Sequence, residues 1–305
     1  MTGRGDSRRR LLGIAMRLAA ATCFALMAAI IKLASEAGTG TVELVFYRFA
    51  FSFIPLLAWI AARREWDAWR TERPGAHVGR AMLGLATMAL TFGALVWLPL
   101  AEATTIAFAA PLLSVVLSAA ILREPVGRYR WGAVAAGLIG VAIVMRPGGS
   151  HAPLAPIGLA LAIAGALGSA GVTITLRQIG RTEGTTTVVL WFTSLSCAAT
   201  ALLMPFYGRG HNLPGWLLLA AIGILGGIGQ LFMTASLRHA PVSAVVPFDY
   251  VQIVWAVLFG WLLWRTEPAA STLVGATVIV ASGLFTLYRE HRLGRERERP
   301  TPVGG

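Results

Sequence analysis

The sequence predicts an all-α integral membrane protein of ten transmembrane helices, arranged as two inverted five-helix repeats. Three observations predict it. The first is composition: 56% hydrophobic and 13% charged residues, with a mean hydropathy of +0.68, leave too little polar surface to coat a water-soluble globule. The second is segmentation. A hydrocarbon core of ~30 Å needs about 20 apolar residues per helix, and ten such segments follow one another along the chain. The third is self-similarity: Glu124, Pro125, Gly132 and Gly140 recur 143 residues later as Glu267, Pro268, Gly275 and Gly283. A second register sets Gly13, Ala15, Ala19, Ala21, Ala25 and Lys32 against Gly158, Ala160, Ala164, Ala166, Ala170 and Arg177, 145 residues apart. A repeat of this kind marks a duplicated unit.

The elements follow in order. Residues 1–10 form a polar tail. The first repeat, 11–147, holds spans at 11–34, 42–62, 78–98, 101–122 and 131–145. The second repeat, 157–288, holds spans at 157–176, 186–206, 214–235, 241–264 and 271–288, and residues 289–305 form a second tail. Closed barrels alternate polar and apolar residues over strands of ~10 residues. Runs such as Ala107 to Leu122 are apolar on every side and fit helices instead.

The net charge of +12 is distributed by topology. Arginine supplies 25 of the 26 basic residues. On the reading above, 20 lie in the two tails and the even-numbered connections, including Arg63, Arg64, Arg70, Arg73 and Arg80 in the second. Only Lys32, Arg146, Arg209 and Arg265 lie in the alternate connections. That asymmetry places both termini in the cytoplasm. It assigns the charge to orientation in a membrane and not to nucleic acid. Because five spans per unit is odd, the second copy enters from the opposite side, the construction by which many secondary transporters alternate access around a midplane site.

Within the first repeat, the SRRRLL stretch from Ser7 to Leu12 anchors topology, since further spans follow where an export signal would precede folded cargo. Arg48, in VELVFYRFAFSF, sits about six residues, or ~9 Å, inside the second span. An arginine at that depth either faces water or a ligand, or staples helices together. Spans three and four meet in a short turn at Pro99 to Glu102, and Pro111 bends the fourth by removing one backbone hydrogen bond. In the second repeat, Gly223, Gly226, Gly227 and Gly229 let another helix approach the eighth span. The ninth span, PVSAVVPFDYVQIVWAVLFGWLLWRTEP, is kinked by Pro247 and then presents Asp249, Tyr250 and Gln252. Asp249 lies ~10 Å from the cytoplasmic end. It requires a cation, a proton or water beside it, and either binds a ligand or staples helices.

The FYRF segment, the long hairpin from Arg80 to Pro147 with its Arg-Glu-Pro, and the later Pro-Phe-Asp-Tyr run resemble the EamA-like branch of the drug/metabolite transporter superfamily. The resemblance covers nearly the whole chain outside the tails. It implies ten helices around a central cavity, closest to bacterial carriers of organic solutes such as S-adenosylmethionine and riboflavin. One position departs: several such relatives carry a basic residue after the Pro-aromatic pair, where this chain has Asp249.

Other chemistries lack their residues. No Gly-x-x-x-x-Gly-Lys phosphate loop occurs. His77, His151, His211, His239 and His291 lie in or beside connections without metal or catalytic spacing. Cys23 and Cys197 lie in spans of different halves, and two cysteines build no disulfide framework. No cofactor or metal is expected, and no enzymatic activity. The expected function is secondary transport of a small organic metabolite, amino-acid-like, zwitterionic or cationic, the alternative being a non-transporting multipass enzyme or scaffold. Tyr47, Arg48, Trp191, Asp249, Tyr250 and Gln252 are the candidate substrate-binding residues, the anionic end of the ligand toward Arg48 and the cationic end toward Asp249. Asp249 is also the candidate for proton coupling. The expected partners are the lipid bilayer and the substrate.

Overall fold

The computed structural model describes residues 3–121, 127–145, 155–179, 182–240 and 245–297. Every regular element among them is helical. The first half holds α1 (Gly3–Glu36), α2 (Thr41–Ala50), α3 (Phe53–Arg63), α4 (Pro74–Trp97), α5 (Leu100–Ala107), α6 (Ala110–Ile121) and α7 (Arg128–Met145). The second half holds α8 (Pro156–Ile179), α9 (Thr185–Ala201), a single turn α10 (Met204–Tyr207), α11 (Leu213–His239), α12 (Val251–Trp264) and α13 (Ala270–Arg297). Seven segments are long and apolar enough to cross a membrane, and Trp131–Met145, Thr185–Ala201 and Ala270–Thr286 are shorter apolar helices. Together they make ten spans in two five-helix repeats. Glu124 and Pro125, one copy of the repeated Glu-Pro, lie outside the described residues.

Several predicted spans are interrupted, three of them for clear local reasons. The second breaks at Phe51 and Ser52, where the Ser52 hydroxyl donates to the Arg48 carbonyl (2.5 Å) and, across the interface, to the Gly223 carbonyl (2.9 Å). The fourth breaks at Phe108 and Ala109. Pro111 has no N–H to offer the Ala107 carbonyl, and the first helical segment ends at Ala107. Pro247 likewise falls in a 3-10 turn, Val246–Tyr250, that leads into α12. Such breaks are tolerated at membrane depth where neighbouring protein satisfies the freed backbone groups.

Packing follows the duplication. The most extensive helix pairs are α1 with α11, α4 with α8, and α7 with α13. In span numbers these are one with eight, three with six, and five with ten. Exchanging the halves converts the first pair into the second and returns the third to itself. Small residues carry these contacts, as expected where lipid supplies no hydrophobic drive for helix association. A Cβ on Gly13 would fall 2.8 Å from the Ala240 Cβ, at the end of α11. One on its repeat mate Gly158 would fall 2.8 Å from the Trp97 Cβ, at the end of α4. The perimeter is apolar: Ile54, Met82, Ile139 and Val254 are exposed, as a lipid-facing surface requires.

Candidate functional site

Inside the bundle lies a cavity of about 350 Å³ bounded by α1, α2, α4, α5, α8, α9, α11 and α12. Its walls are largely apolar, with Phe24, Met27, Met88, Phe92, Phe108 and Phe192 among them. Its charged groups are two arginines, Arg48 and Arg80. Arg48 comes from the last turn of α2 and is 1% exposed. Arg80 comes from the second turn of α4 and is 4% exposed. The Arg48 guanidinium lies over the Phe49 ring at 4.7 Å, and that of Arg80 over the Phe192 ring at 4.3 Å. The Phe49 and Phe192 rings meet edge to face at 5.1 Å, so the two cations share one aromatic floor.

Glycines make room for both. A Cβ on Gly226 would lie 3.1 Å from Arg48 Nε, and one on Gly84 would lie 2.2 Å from Arg80 Nη1. Neither arginine has a carboxylate partner among the described residues. Arg48 Nε, Arg80 Nε and Arg80 Nη1 are buried with no hydrogen-bond acceptor. Among the described residues no carboxylate lines the cavity, and the remaining polar side chains there are Thr87, Thr91, Thr104, Ser169, Gln230 and Gln252.

Asp249 has a partner of its own. Arg17 of α1 closes on it with both arms of the guanidinium, Nε donating to Oδ1 at 2.6 Å and Nη2 donating to Oδ2. Nη1 of Arg17 also donates to the Met233 carbonyl at 3.4 Å. A bidentate fork of this kind satisfies a carboxylate more fully than a point charge would. It ties α1 to the turn after Pro247.

The six residues singled out from sequence therefore separate. Arg48 and Gln252 line the cavity. Tyr250 sits one layer behind it, its ring 5.2 Å from that of Phe108, in space left by Gly283. Tyr47 joins Trp216 (5.2 Å) and His211 (6.3 Å) near the face opposite the termini. Trp191 stacks on His77 at 5.5 Å and donates from Nε1 to the Trp69 carbonyl at the terminal face. Asp249 is engaged with Arg17.

Arg17, Arg80 and Gln230 were not singled out. Arg80 corrects the charge count: it is a buried cavity residue inside α4 and not a surface charge of the second connection. Burial at helix depth could have been inferred by the argument applied to Arg48. The same holds for Arg17, a lone cation in an apolar run.

The cavity helices are tied at both ends. At the face opposite the termini, buried Glu43 accepts from the backbone of Gly40 (3.1 Å) and Arg209 (2.8 Å), and lies 3.0 Å from His211 Nε2. At the terminal face, Thr186 donates to Glu65, and Thr71 donates to Glu183 at 2.7 Å. Among the described residues, no group of three His, Cys, Asp or Glu side chains is placed to hold a metal ion.

The profile of the EamA-like transporter family matches residues 11–146 and 156–288. The chain belongs to the EamA-like transporter family. Among similar proteins, the pseudopaline exporter CntI of Pseudomonas aeruginosa is 28% identical over 276 residues, covering 88% of this chain and 94% of that protein. A riboflavin transporter of Vibrio cholerae is 26% identical, covering 95% and 97%. An S-adenosylmethionine uptake transporter of Rickettsia conorii is 26% identical, covering 84% and 86%. A solved crystal structure superposes with a TM-score of 0.64 over 94% of this chain and 99% of its own, at 23% identity, and shows the same fold. The ten-span EamA architecture thus matches what the sequence motifs imply, and the chain is a multi-pass membrane protein.

Proposed function

We propose that this EamA-like protein is a secondary transporter of a small organic metabolite bearing an anionic group, a carboxylate or an amino-acid-like zwitterion. On this reading it works by alternating access in a bacterial inner membrane, with both termini cytoplasmic. The observation that carries the reading is the pair Arg48 and Arg80: two buried guanidinium groups, without a carboxylate partner among the described residues, facing one apolar cavity. Two like charges in a low-dielectric site are costly unless a counter-charge arrives. A ligand anion supplies it, and each guanidinium recognises a planar carboxylate or a phosphate through paired N–H donors. The apolar wall accepts the remainder of the solute, and Gln230 and Gln252 offer donors and acceptors for its polar substituents. The names of the three relatives, each a transporter of an organic solute, agree with transport and differ on the solute.

This narrows the expectation from sequence. The Arg17 fork occupies the carboxylate of Asp249, so a ligand's cationic end is left to the amides and aromatic rings. Asp249 then acts through the ion pair. Opening toward the terminal face separates α1 from the Pro247 turn, and a proton on Asp249 would release Arg17, which keeps proton coupling within this reading.

The test is unbiased for solute. Proteoliposomes containing wild-type protein or Arg48→Gln/Arg80→Gln are equilibrated with a bacterial metabolite extract, washed, and analysed by mass spectrometry. Compounds accumulated by wild type and lost in the double variant should carry a carboxylate or phosphate. Accumulation of neutral or purely cationic compounds by both proteins contradicts the reading.

A further inference from the structure

A second cavity, of about 270 Å³, lies at the face opposite the termini, between the α4–α5 turn and the end of α12. Glu102 lines it and is 7% exposed. Its Oε1 accepts from the Thr272 hydroxyl at 2.9 Å, while its Oε2 is buried with no hydrogen-bond partner among the described residues. Lys32 lines the same cavity, yet its ammonium is directed elsewhere: Nζ donates to the carbonyls of Leu95 (3.2 Å) and Leu98 (2.9 Å), and lies 3.9 Å from Glu36. Trp264 lies 5.9 Å from that ammonium and donates from Nε1 to Glu36 at 2.7 Å, and Trp97 supplies a second indole. Leu95 of α4 lines the central cavity, and Trp97, two residues further along the same helix, lines this one.

The orphaned oxygen defines what would complete the site. A buried acceptor without a donor costs free energy until one is supplied. Lys32, Glu36 and Glu102 together leave one net negative charge, so the missing donor is cationic. A proton alone does not suffice, because it turns an unpartnered acceptor into an unpartnered O–H donor. A hard metal ion takes about six or more oxygens, and the Leu95 and Leu98 carbonyls are already engaged by Lys32. An ammonium group brings N–H donors to Oε2 and is attracted to the faces of indole rings.

We infer that this cavity is a second binding site, separate from the Arg48/Arg80 cavity, that takes the primary ammonium group of a small amine on Glu102. Lys32 tunes the site from one side: its own positive charge weakens the binding of another cation. The inference does not depend on the solute carried by the central cavity.

Propylamine hydrochloride is titrated into the purified full-length protein in detergent, followed by isothermal calorimetry, with potassium chloride and propionamide as controls. Wild type should bind propylamine saturably. Glu102→Gln, which keeps an oxygen for Thr272, should bind at least tenfold more weakly, and Lys32→Gln several-fold more tightly. If Glu102→Gln does not elute as a folded species, Glu102→Asp serves, since its shorter arm also weakens binding. No saturable propylamine signal in wild type, an equal signal from potassium chloride, unchanged affinity in the Glu102 variant, or weaker binding in Lys32→Gln would each overturn the proposal.

Discussion

Arg17 and Asp249 are 232 residues apart in the chain and form a two-point ion pair between the first span and the turn that starts the ninth. Their side chains are only 9% and 21% exposed. Removing one partner leaves the other charged and poorly hydrated, at a cost of about 3–5 kcal/mol, whereas replacing both removes the penalty. Asp249→Leu and Arg17→Met should each lower the thermal unfolding temperature in detergent. Arg17→Met/Asp249→Leu should recover most of the loss. Strictly additive losses would show that the two residues are not coupled.

Gly13 and Gly158 occupy matching positions in the two repeats and meet matching helix ends. Gly13→Val and Gly158→Val should therefore destabilise by similar amounts, about 1–3 kcal/mol each from overpacking. Gly132→Val should be much milder, because a Cβ there meets nothing within 4 Å. Thermal unfolding of the three variants checks this. A large loss for one of the first two and none for the other would break the equivalence.

The repeat, the spans and the proline breaks were legible because each is written in local sequence: periodic glycines, apolar length, and a missing N–H. The pairing of Arg17 with Asp249 was not, because nothing local connects residues from opposite ends of the chain. Arg80 was misread because an arginine near a predicted helix start looks like a surface charge until the helix is known to begin at Pro74. Repeated glycines announced close contacts without saying with what. Gly140 meets the Gly275 carbonyl, and its mate Gly283 makes space for the Tyr250 hydroxyl.

Room for the cavity arginines is set by two glycines. Gly226→Ala places a methyl group against Arg48 Nε, and Gly84→Ala places one against Arg80 Nη1. Gly226→Ala should fold, since its methyl meets Met27 Sδ and Arg48 Nε at no less than 3.0 Å, whereas Gly84→Ala also meets the buried Phe192 ring at 2.7 Å and should lower the thermal unfolding temperature as well. Both should weaken solute binding by roughly tenfold, on the order of 1.4 kcal/mol. Transport kinetics in proteoliposomes should report this as a raised KM. An unchanged KM in both would mean that the guanidinium positions do not matter to the solute.

Orientation rests on the arginine distribution, which survives the reassignment of Arg80. Reporter fusions after Arg209 and after Arg289 should give opposite signals, the first periplasmic and the second cytoplasmic. Equal signals would change the number of crossings by one.

Selection for an anionic group by the Arg48/Arg80 cavity is read from solutes alike in size and differing in charge. Hexanoate, norleucine and hexylamine are each titrated into purified Glu102→Gln protein, whose second cavity is weakened for amines, with thermal stabilisation as the readout, with and without Arg48→Gln/Arg80→Gln. Hexanoate and norleucine should stabilise the protein that keeps both arginines, and the effect should disappear when both are replaced. Equal stabilisation by all three compounds, or retention of the hexanoate effect without the two arginines, would contradict that selection.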